Sequence, residues 1–364
     1  MKVLTMIDSL IAAGAERMAV NIANGLTSVG VESHLCATHA GGPLEEFILP
    51  EVKTIFPGKK SFFDIKALLK LRKYLKKNEI DIIHAHSSSL YWAVIVKWIT
   101  PGRIKIFWHD HFGFSEQVHA RETRVLRFFV RFVKHIFAVN DILVKYAVND
   151  LKKNPSQVSF LANFADIELD KSKIQKPDIP DIESYPKIVC LANLRKQKDH
   201  DNLLDAFKIV ANKQNSARLY LVGGHFNDDY YRRMVDKTTN EADLKGKVYI
   251  LGSRNDVSAI LAECQIGVLS SISEGLPVSL LEYGLSNLAV VCTDVGDCSL
   301  VLDGGRCGRL VPPNNPEALA KEILFLLENI DEAKKLAEAL NNRVLTDFSK
   351  KGAIEKILKI YKNL

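Results

Sequence analysis

Two glutamates, Glu274 and Glu282, lie within the segment SISEGLPVSLLEYGLSN. An apolar strand is predicted before this segment, and a helix is predicted to begin near Pro277 because proline suits the first turn of a helix. Glu274 then lies in the loop before the helix, and Glu282 lies roughly two turns along it. Backbone N–H groups at the start of a helix favour a phosphate. The pattern is typical of a site for a ligand with a central phosphate and hydroxyl groups at both ends, although a loop charge and a solvated helix residue would give the same spacing.

A basic turn, NLRKQKD, follows another predicted strand. It contains Arg195, Lys196 and Lys198, and an amphipathic helix is predicted to start near His200. Cations beside a helix N-terminus are suited to binding a diphosphate. The alternative interpretation is an ordinary solvated turn between a strand and a helix.

Histidines end two predicted strands in the first half of the chain. The segment FWHDHFGF contains His109, Asp110 and His111, and the segment DIIHAHSSS contains His84 and His86. The carboxyl ends of parallel strands meet at one edge of a sheet, where such folds bind ligands. A histidine pair without a third ligand in view is weak evidence for a metal ion, so the sequence predicts no metal site.

Strands and helices alternate along the whole chain, which is the pattern of parallel sheets covered by helices on both faces. A length of 364 residues predicts two such domains. The first domain is predicted over residues 1–168 and the second over residues 187–345, with a proline-rich, charged linker over residues 169–186. A helix over residues 346–364 is predicted to pack back toward the first domain. The active site is expected in a cleft between the two domains.

The segment around the two glutamates resembles the E-x7-E signature of retaining glycosyltransferases of family 4. The matching residues are Glu274, Gly275, Pro277, Glu282, Gly284 and Val290. Tyr283 and Asn287 depart from the signature, since the family usually has Ala and Pro there. The resemblance implies two Rossmann-like domains facing across a cleft, called the GT-B fold. It also implies transfer of a hexosyl or N-acetylhexosaminyl group from a nucleoside diphosphate sugar, expected to be UDP-linked, to an acceptor hydroxyl with retention of configuration.

The family resemblance assigns roles to the acidic and basic residues. In the family the first glutamate contacts hydroxyls of the donor sugar and the second holds the ribose, and these roles fall on Glu274 and Glu282. The basic turn resembles the family's diphosphate-binding element, in which Lys198 matches the lysine. Asn193 occupies the usual arginine position, so Arg195 is expected to supply that cation.

Further site residues follow from the same resemblance. His109 matches a histidine that contacts the donor sugar near the reacting carbon. The predicted catalytic residues are therefore His109, Glu274, Lys198 and Arg195. The predicted donor-binding residues are Gly14, Gly223, Arg254, Gly275, Leu276, Pro277, Val278 and Glu282. His84 and His86 are assigned to the acceptor side, where a purely structural role for one of them is equally favoured. No cofactor or metal ion is expected beside the nucleotide sugar, and the lack of a G-x-G-x-x-G segment argues against a dehydrogenase.

Basic residues are concentrated in the first half of a chain whose formal net charge is +6. They interleave with aromatic residues in KKSFFDIKALLKLRKYLKK and in a helix predicted over residues 122–134, ETRVLRFFVRFVK. One interpretation is attachment to an anionic membrane surface that carries a lipid-linked glycan acceptor. The other is two ordinary helices with basic solvent faces and buried aromatic faces. No nucleic-acid-binding motif accompanies the charge, so nucleic acid is not an expected partner.

The remaining composition suggests a cytoplasmic enzyme, attached peripherally to the inner face of a membrane if the basic region binds lipid. Six cysteines lack the spacing of a zinc or redox site, and several lie in apolar runs that suit reduced, buried thiols. No apolar run reaches the roughly 18–20 residues of a membrane-spanning helix. The family resemblance implies a role in cell-surface polysaccharide or glycolipid assembly. The alternatives are a non-catalytic nucleotide-sugar-binding subunit and an inverting transferase, an epimerase or a phosphorylase of the same fold.

Overall fold

The computed structural model of the chain describes residues 1–11, 13–112, 118, 121–167, 175–183, 185–225 and 227–363. The chain divides into two compact units. Unit 1 comprises Met1–Phe164 together with Lys350–Leu364, and unit 2 comprises Ala165–Ser349. The predicted linker over residues 169–186 falls within unit 2, and its residues 169–174 and 184 lie outside the described part.

Seven strands form one parallel sheet in the described part of unit 1, in the order β3-β2-β1-β4-β5-β6-β7. The strands are β1 (Lys2–Ile7), β2 (Glu32–Ala37), β3 (Lys53–Ile55), β4 (Ile82–His86), β5 (Lys105–Asp110), β6 (Val133–Ala138) and β7 (Val158–Phe160). The helices are α1 (Gly14–Ser28), α2 (Ile65–Lys77), α3 (Ser89–Ile99), α4 (Thr123–Phe129), α5 (Asp141–Asn149) and α13 (Lys350–Asn363).

Helices cover both faces of this sheet, which is why its strands are almost continuously apolar. Ile22 of α1 and Ile357 of α13 pack in one buried cluster with Phe107 of β5. Trp92 of α3 and Trp108 of β5 belong to a second cluster. The C-terminal helix α13 therefore completes the core of unit 1.

Six strands form a second parallel sheet in the described part of unit 2, in the order β10-β9-β8-β11-β12-β13. The strands are β8 (Lys187–Leu191), β9 (Arg218–Val222), β10 (Val248–Gly252), β11 (Ile266–Leu269), β12 (Ala289–Thr293) and β13 (Arg309–Val311). The helices are α6 (His200–Lys213), α7 (Asp229–Asn240), α8 (Val257–Glu263), α9 (Val278–Leu285), α10 (Cys298–Val301), α11 (Pro316–Glu328) and α12 (Ile330–Asp347). The prediction of two Rossmann-like α/β domains is confirmed.

One predicted helix is wrong over half its length. The helix expected over residues 122–134 ends at Phe129, a short 3-10 turn follows, and β6 begins at Val133. Val133 is buried and pairs with Ile106 of β5. Strand pairing in the sheet therefore overrides the helical spacing of the apolar residues, and Lys134 lies on a strand.

None of the helices in the described residues combines the length and apolar character needed to cross a membrane. All six cysteines lie in the described part of the chain and are buried free thiols.

Candidate active site

The centre of the unit 2 sheet positions the two segments that sequence analysis singled out. Strands β8 and β11 pair directly, with Ile188 beside Ile266, and their outer neighbours are β9 and β12. The connections that follow β8 and β11 therefore run in opposite directions along the sheet. They leave a crevice at its carboxyl edge, which is the usual ligand site of such folds.

Lys198 and Glu274 meet at this crevice. Lys198 Nζ donates a hydrogen bond to Glu274 Oε1 at 2.6 Å, and Ser271 Oγ donates to the same oxygen at 2.6 Å. The Glu274 side chain is 6% exposed and the Lys198 side chain 22%. A buried carboxylate needs this kind of partner. Because an ammonium group has three N–H donors, Lys198 can hold Glu274 and an incoming anion at the same time.

Further hydrogen bonds fix the turn that carries Lys198 against the loop that carries Glu274. Gln197 Nε2 donates to the carbonyl oxygen of Ser273 at 2.8 Å, and Ser270 Oγ donates to the carbonyl oxygen of Lys198 at 2.8 Å. The distance between the two charged groups is therefore set by the loops as well as by their own attraction.

A third loop, which follows β12, packs on the backbone of the Glu274 loop. Gly296 has a φ of +53°, and a Cβ atom there would lie 2.1 Å from the carbonyl oxygen of Glu274. The backbone N–H of Asp297 donates to the carbonyl oxygen of Gly275 at 2.9 Å. Both the positive φ and the close approach require glycine at position 296.

Helix α9 begins at Val278, directly after Pro277, which confirms the predicted start. Leu276 and Pro277 are buried, and Glu282 on the helix is 7% exposed. Glu282 is therefore not the solvated helix residue of the alternative interpretation. Two buried carboxylates thus flank the N-terminus of one helix, where backbone N–H groups favour a phosphate.

Tyr283, at a position where the family usually has Ala, is fully buried beneath the crevice. The backbone N–H of Leu191 donates to its hydroxyl at 2.6 Å, and the hydroxyl donates to the carbonyl oxygen of Val268 at 3.2 Å. A Cβ atom at Gly267 would lie 2.5 Å from the Tyr283 ring. Glycine in β11 therefore makes room for the ring, which connects β8 to β11 where their pairing ends.

Asn287, the other departure from the family pattern, terminates α9. It has a φ of +58°, and its backbone N–H donates to the carbonyl oxygen of Gly284 at 3.0 Å. Asparagine tolerates this left-handed conformation, whereas proline is fixed near a φ of about −65°. The helix therefore ends in a way that the family's usual proline could not reproduce.

Helix α6 starts at His200, as predicted, but its N-terminus is already used within the protein. Asp199 caps the helix through a hydrogen bond from the N–H of Asn202 at 3.3 Å, and the N–H of His200 donates to the Tyr230 hydroxyl at 2.8 Å. These two N–H groups are therefore already hydrogen-bonded, and diphosphate binding at this turn stays a prediction. Of the cations on the preceding turn, Lys196 is exposed.

The other predicted donor-binding residues of unit 2 have structural contacts of their own. A Cβ atom at Gly223 would lie 2.2 Å from the carbonyl oxygen of Ala192, so packing of the two turns requires glycine there. Asn193 Oδ1 accepts a hydrogen bond from the N–H of Gly224 at 2.8 Å. The Arg254 guanidinium donates two hydrogen bonds to Asp256, at 2.7 and 2.6 Å, which leaves the face of its plane for a base. Nucleotide contacts at Gly223 and Arg254 stay predictions.

Unit 1 brings the histidines of β4 and β5 into one stack. His84, His86 and His109 are fully buried, and the His109 ring lies 4.1 Å from the His111 ring between centroids. Burial lowers the pKa of His84 to about 3 and lowers the pKa values of His86 and His109 well below the ordinary value. These imidazoles are therefore neutral at pH 7.

A pocket of about 400 Å³ lies in unit 1 beside this stack. Its lining residues are Ser87, Ser88, Tyr91, Trp108, Asp110, His111, Phe112, Arg121, Glu122 and Leu126. Arg121 donates to Asp110 at 2.6 Å and lies over the Phe112 ring at 4.5 Å. Burial raises the pKa of Asp110, although the Arg121 guanidinium opposes this shift. Aromatic faces beside a charged pair are suited to a sugar.

The pocket is not lined by the histidines assigned to the acceptor. Ser87 and Ser88, which directly follow His86, line it instead. Sequence analysis missed Arg121, since no local pattern indicates its pairing with Asp110. Residues 113–117, 119 and 120, which lie between the two, are outside the described part. The acceptor role of His84 and His86 stays a prediction.

The predicted glycine of unit 1, Gly14, begins α1 near the carboxyl end of β1. A Cβ atom at Gly14 would meet no atom within 4 Å, so packing does not require glycine there. Sequence analysis missed Asp8, which accepts hydrogen bonds from Ser88 Oγ at 2.5 Å and Thr38 Oγ1 at 2.7 Å. This carboxylate ties together the loops that follow three neighbouring strands.

Two protein-family profiles match the chain, one mainly in each unit. The profile described as "Glycosyltransferase Family 4" matches residues 12–169, and the profile described as "Glycosyl transferases group 1" matches residues 185–329. Together they span the predicted active-site segments of both units.

Two bacterial relatives of similar length match most of the chain. A UDP-Gal:alpha-D-GlcNAc-diphosphoundecaprenol alpha-1,3-galactosyltransferase of Escherichia coli is 22% identical over 340 residues, covering 88% of this chain and 86% of the relative. An N,N'-diacetylbacillosaminyl-diphospho-undecaprenol alpha-1,3-N-acetylgalactosaminyltransferase of Campylobacter jejuni is 27% identical over 314 residues, covering 77% of this chain and 76% of the relative.

Solved structures share the whole fold. HepE of Anabaena, in complex with UDP-glucose, superposes with a TM-score of 0.81 at 20% identity and full coverage of both chains. WaaG, a glycosyltransferase involved in lipopolysaccharide biosynthesis, gives a TM-score of 0.70 at 15% identity, covering 96% of this chain and 98% of WaaG. With one profile matched over residues 12–169 and the other over residues 185–329, the chain belongs to the glycosyltransferases of family 4.

Proposed function

We propose that the protein transfers a sugar from a UDP-sugar to a hydroxyl of a lipid-diphosphate-linked glycan, with retention of configuration, in glycolipid or cell-surface polysaccharide assembly. The observation that carries the proposal is the Lys198–Glu274 pair at the N-terminus of α9, with Glu282 on the same helix. These groups match a ligand with a sugar, a diphosphate and a ribose in series. The two named bacterial relatives act on diphospho-undecaprenol-linked sugars.

Electrostatic stabilisation of the leaving diphosphate is the main chemical task of unit 2. The ammonium group of Lys198 and the N–H groups at the start of α9 would face the charge that develops as the bond to the sugar breaks. Such groups are effective because they are already oriented before reaction. Glu274 would accept hydrogen bonds from hydroxyls of the donor sugar, and Glu282 would accept them from the ribose.

Fixed cations and a helix N-terminus can replace a divalent metal ion at the diphosphate, so we propose that transfer needs no metal. Activity that disappears with EDTA and returns with magnesium or manganese would contradict this. The roles of His109 at the donor sugar and of Arg195 at the diphosphate rest on the family resemblance. Anomeric analysis of the product by NMR separates retention from inversion.

The pocket of unit 1 is the proposed acceptor site. Trp108, Tyr91 and Phe112 offer apolar faces to the C–H groups of a sugar, and the Asp110–Arg121 pair offers an acceptor and donors for its hydroxyls. Tyr91 also contacts Phe62, with 6.3 Å between ring centroids, and Phe129, with 4.9 Å. The pocket therefore adjoins the surface formed by α2, α3 and α4.

That surface carries both exposed apolar side chains and cations, and we call it the aromatic–basic face. Its exposed apolar residues are Phe62, Phe63, Ile65, Leu69, Trp98, Val125 and Phe128. Its exposed cations are Lys66, Lys70, Lys73, Lys76, Lys77, Arg124, Arg127 and Arg131. Phe63 is 76% exposed and Trp98 51%, so the aromatic residues are not all buried as two ordinary covering helices would require. We propose that this face binds an anionic bilayer.

A ligand panel tests the donor assignment. UDP-sugars should raise the melting temperature of the protein, and GDP- and ADP-sugars at equal concentration should raise it less, because a bound ligand stabilises the folded state by mass action. Glu282→Gln should weaken UDP binding about 10–100-fold, since a hydrogen bond to a charged group contributes about 1.5–3 kcal/mol. Isothermal titration with UDP measures this effect.

Glu317→Gln, on the exposed start of α11, is the control and should leave the UDP affinity unchanged. Equal UDP affinity in Glu282→Gln and the wild type would rule out the ribose assignment. A protein that binds UDP-sugars but neither transfers nor slowly hydrolyses them would instead be the non-catalytic nucleotide-sugar-binding subunit.

Vesicle binding tests the aromatic–basic face. The wild type should co-sediment with vesicles containing phosphatidylglycerol, bind neutral phosphatidylcholine vesicles less, and dissociate as salt is raised. The double variant Phe63→Ser/Trp98→Ser should lose most of this binding. Ile330→Ser removes an apolar side chain of similar exposure, 50%, from unit 2 and should bind like the wild type. If the double variant sediments as the wild type does, the face is not the membrane contact.

A further inference from the structure

The three histidines at the ends of β4 and β5 form a compact cluster. One ring nitrogen from each of His84, His86 and His109 can be chosen so that all three lie within 4.8 Å of one another. The residues are fully buried, and within the described part of the chain their Nε2 atoms have no hydrogen-bond partner. A buried polar atom without a partner is costly and calls for an explanation.

The other ring nitrogens of two of these residues are held in place. His84 Nδ1 lies 2.5 Å from the Tyr361 hydroxyl, and His86 Nδ1 lies 2.9 Å from His111 Nε2. If each Nδ1 carries the proton and donates it, the lone pair of each Nε2 is free. Histidines that bind a metal ion usually have this arrangement, with the second nitrogen donating to a neighbour that fixes the tautomer and the ring orientation.

We propose that His84, His86 and His109 bind one zinc ion through their Nε2 atoms. Three neutral imidazoles are a known ligand set for zinc, and the fourth position of such a site is open to water or another small ligand. Among the residues that the structure describes, no carboxylate or thiolate belongs to the cluster, which disfavours magnesium, calcium and manganese.

The geometry needs a small closure of the rings. In a tetrahedral site with zinc–nitrogen distances of about 2.0–2.1 Å, the nitrogen atoms lie about 3.3 Å apart. If the ring nitrogens that lie within 4.8 Å of one another are the ligands, each pair has to approach by about 1.5 Å at most, and the rings turn about their side-chain bonds to do so. The cluster adjoins the pocket of unit 1 through His111, which lines that pocket and stacks on both His109 and His86, and zinc is expected to enter from that side.

Zinc bound at this cluster would prevent His109 from contacting the donor sugar. A nitrogen that binds zinc cannot also bond a sugar hydroxyl, so occupation of the site is expected to inhibit transfer. The inhibition rests on the proposed function, whereas zinc binding does not. The site is therefore a candidate for regulation by metal and is not a catalytic metal centre.

Metal analysis tests the site without an activity assay. After incubation with zinc and dialysis, the wild type should retain one zinc ion per chain, and His86→Gln should retain none. His135→Gln alters another buried histidine of the same sheet, hydrogen-bonded to Ser159 and outside the cluster. This control should retain zinc as the wild type does.

A second variant tests the site even if His86→Gln fails to fold. Tyr361→Phe keeps all three ligands and removes the neighbour of His84, so it should weaken zinc binding about 10–100-fold. Cobalt in place of zinc should give the visible absorption of a tetrahedral site in the wild type. Retention of no zinc by the wild type, or of equal zinc by His86→Gln, overturns the proposal.

Transferase activity then separates the two inferences. Zinc should inhibit transfer by the wild type, and EDTA should reverse the inhibition. Retained zinc without inhibition would overturn the link to His109. A protein that binds zinc as described but has no transferase activity would refute the proposed function and leave the metal site standing.

Discussion

Replacing Lys198 by alanine is expected to lower kcat at saturating donor by about a hundredfold or more. Loss of one preorganised group that stabilises transition-state charge typically costs about 10²–10³ in kcat. Lys198→Ala also removes the ion-pair partner of Glu274, a carboxylate that is almost fully buried. Removing one partner of a buried pair leaves a charge without compensation, so the Glu274 loop should lose rigidity as well. Initial rates at saturating donor measure the effect.

Lys196→Ala provides the matched control for this prediction. Lys196 belongs to the same 3-10 turn but is exposed. Its loss should change kcat by less than about twofold, because an exposed charge is screened by solvent. Similar losses in the two variants would mean that the turn as a whole, and not the ammonium group of Lys198, supports catalysis. A loss confined to KM in Lys198→Ala would assign the residue to ground-state binding.

Gly296→Ala is expected to lower kcat about as much as Lys198→Ala does, although Gly296 has no side chain that could take part in the reaction. The new Cβ atom would lie 2.1 Å from the carbonyl oxygen of Glu274, so the Glu274 loop must move. A displacement of about 1 Å at a positioned group can cost about a hundredfold in rate. Both kcat and UDP-sugar affinity should therefore fall, as initial rates and titration would show.

Gly304→Ala separates the steric clash from backbone strain. Gly304 also has a positive φ, +64°, but a Cβ atom there would meet no atom within 4 Å. Both variants carry the strain of a left-handed alanine, about 1 kcal/mol, and only Gly296→Ala meets the Glu274 loop. If both variants keep full activity, the loop after β12 does not position Glu274.

The parts of the fold that follow from short-range patterns could be predicted from the sequence. Pro277 and the basic turn before His200 gave the correct helix starts, because proline and capping residues act within a few residues of themselves. The two-domain α/β architecture followed from alternating apolar strands and amphipathic helices. The strand at Val133 was missed because its pairing with Ile106 is a long-range contact that outweighs local helical spacing.

Site residues could be predicted from the sequence only where they lie together in one short segment. The E-x7-E spacing correctly placed Glu274 before the start of α9 and Glu282 on that helix. The contact between Lys198 and Glu274 depends on β8 and β11 being neighbours, which spacing alone does not give. The pairing of Asp110 with Arg121 and the exposure of Phe63 and Trp98 depend on packing in three dimensions. These features could not be predicted from the sequence, because no local pattern of residues encodes them.

The contact between Tyr283 and Gly267 makes the residue tolerated at one position depend on the residue at the other. An alanine at position 283 would leave a void beside β11, whereas the tyrosine ring excludes a Cβ atom from position 267. Tyrosine at a position where the family signature has alanine therefore requires glycine in the neighbouring strand, and its ring fills the space beneath the crevice where β8 and β11 stop pairing.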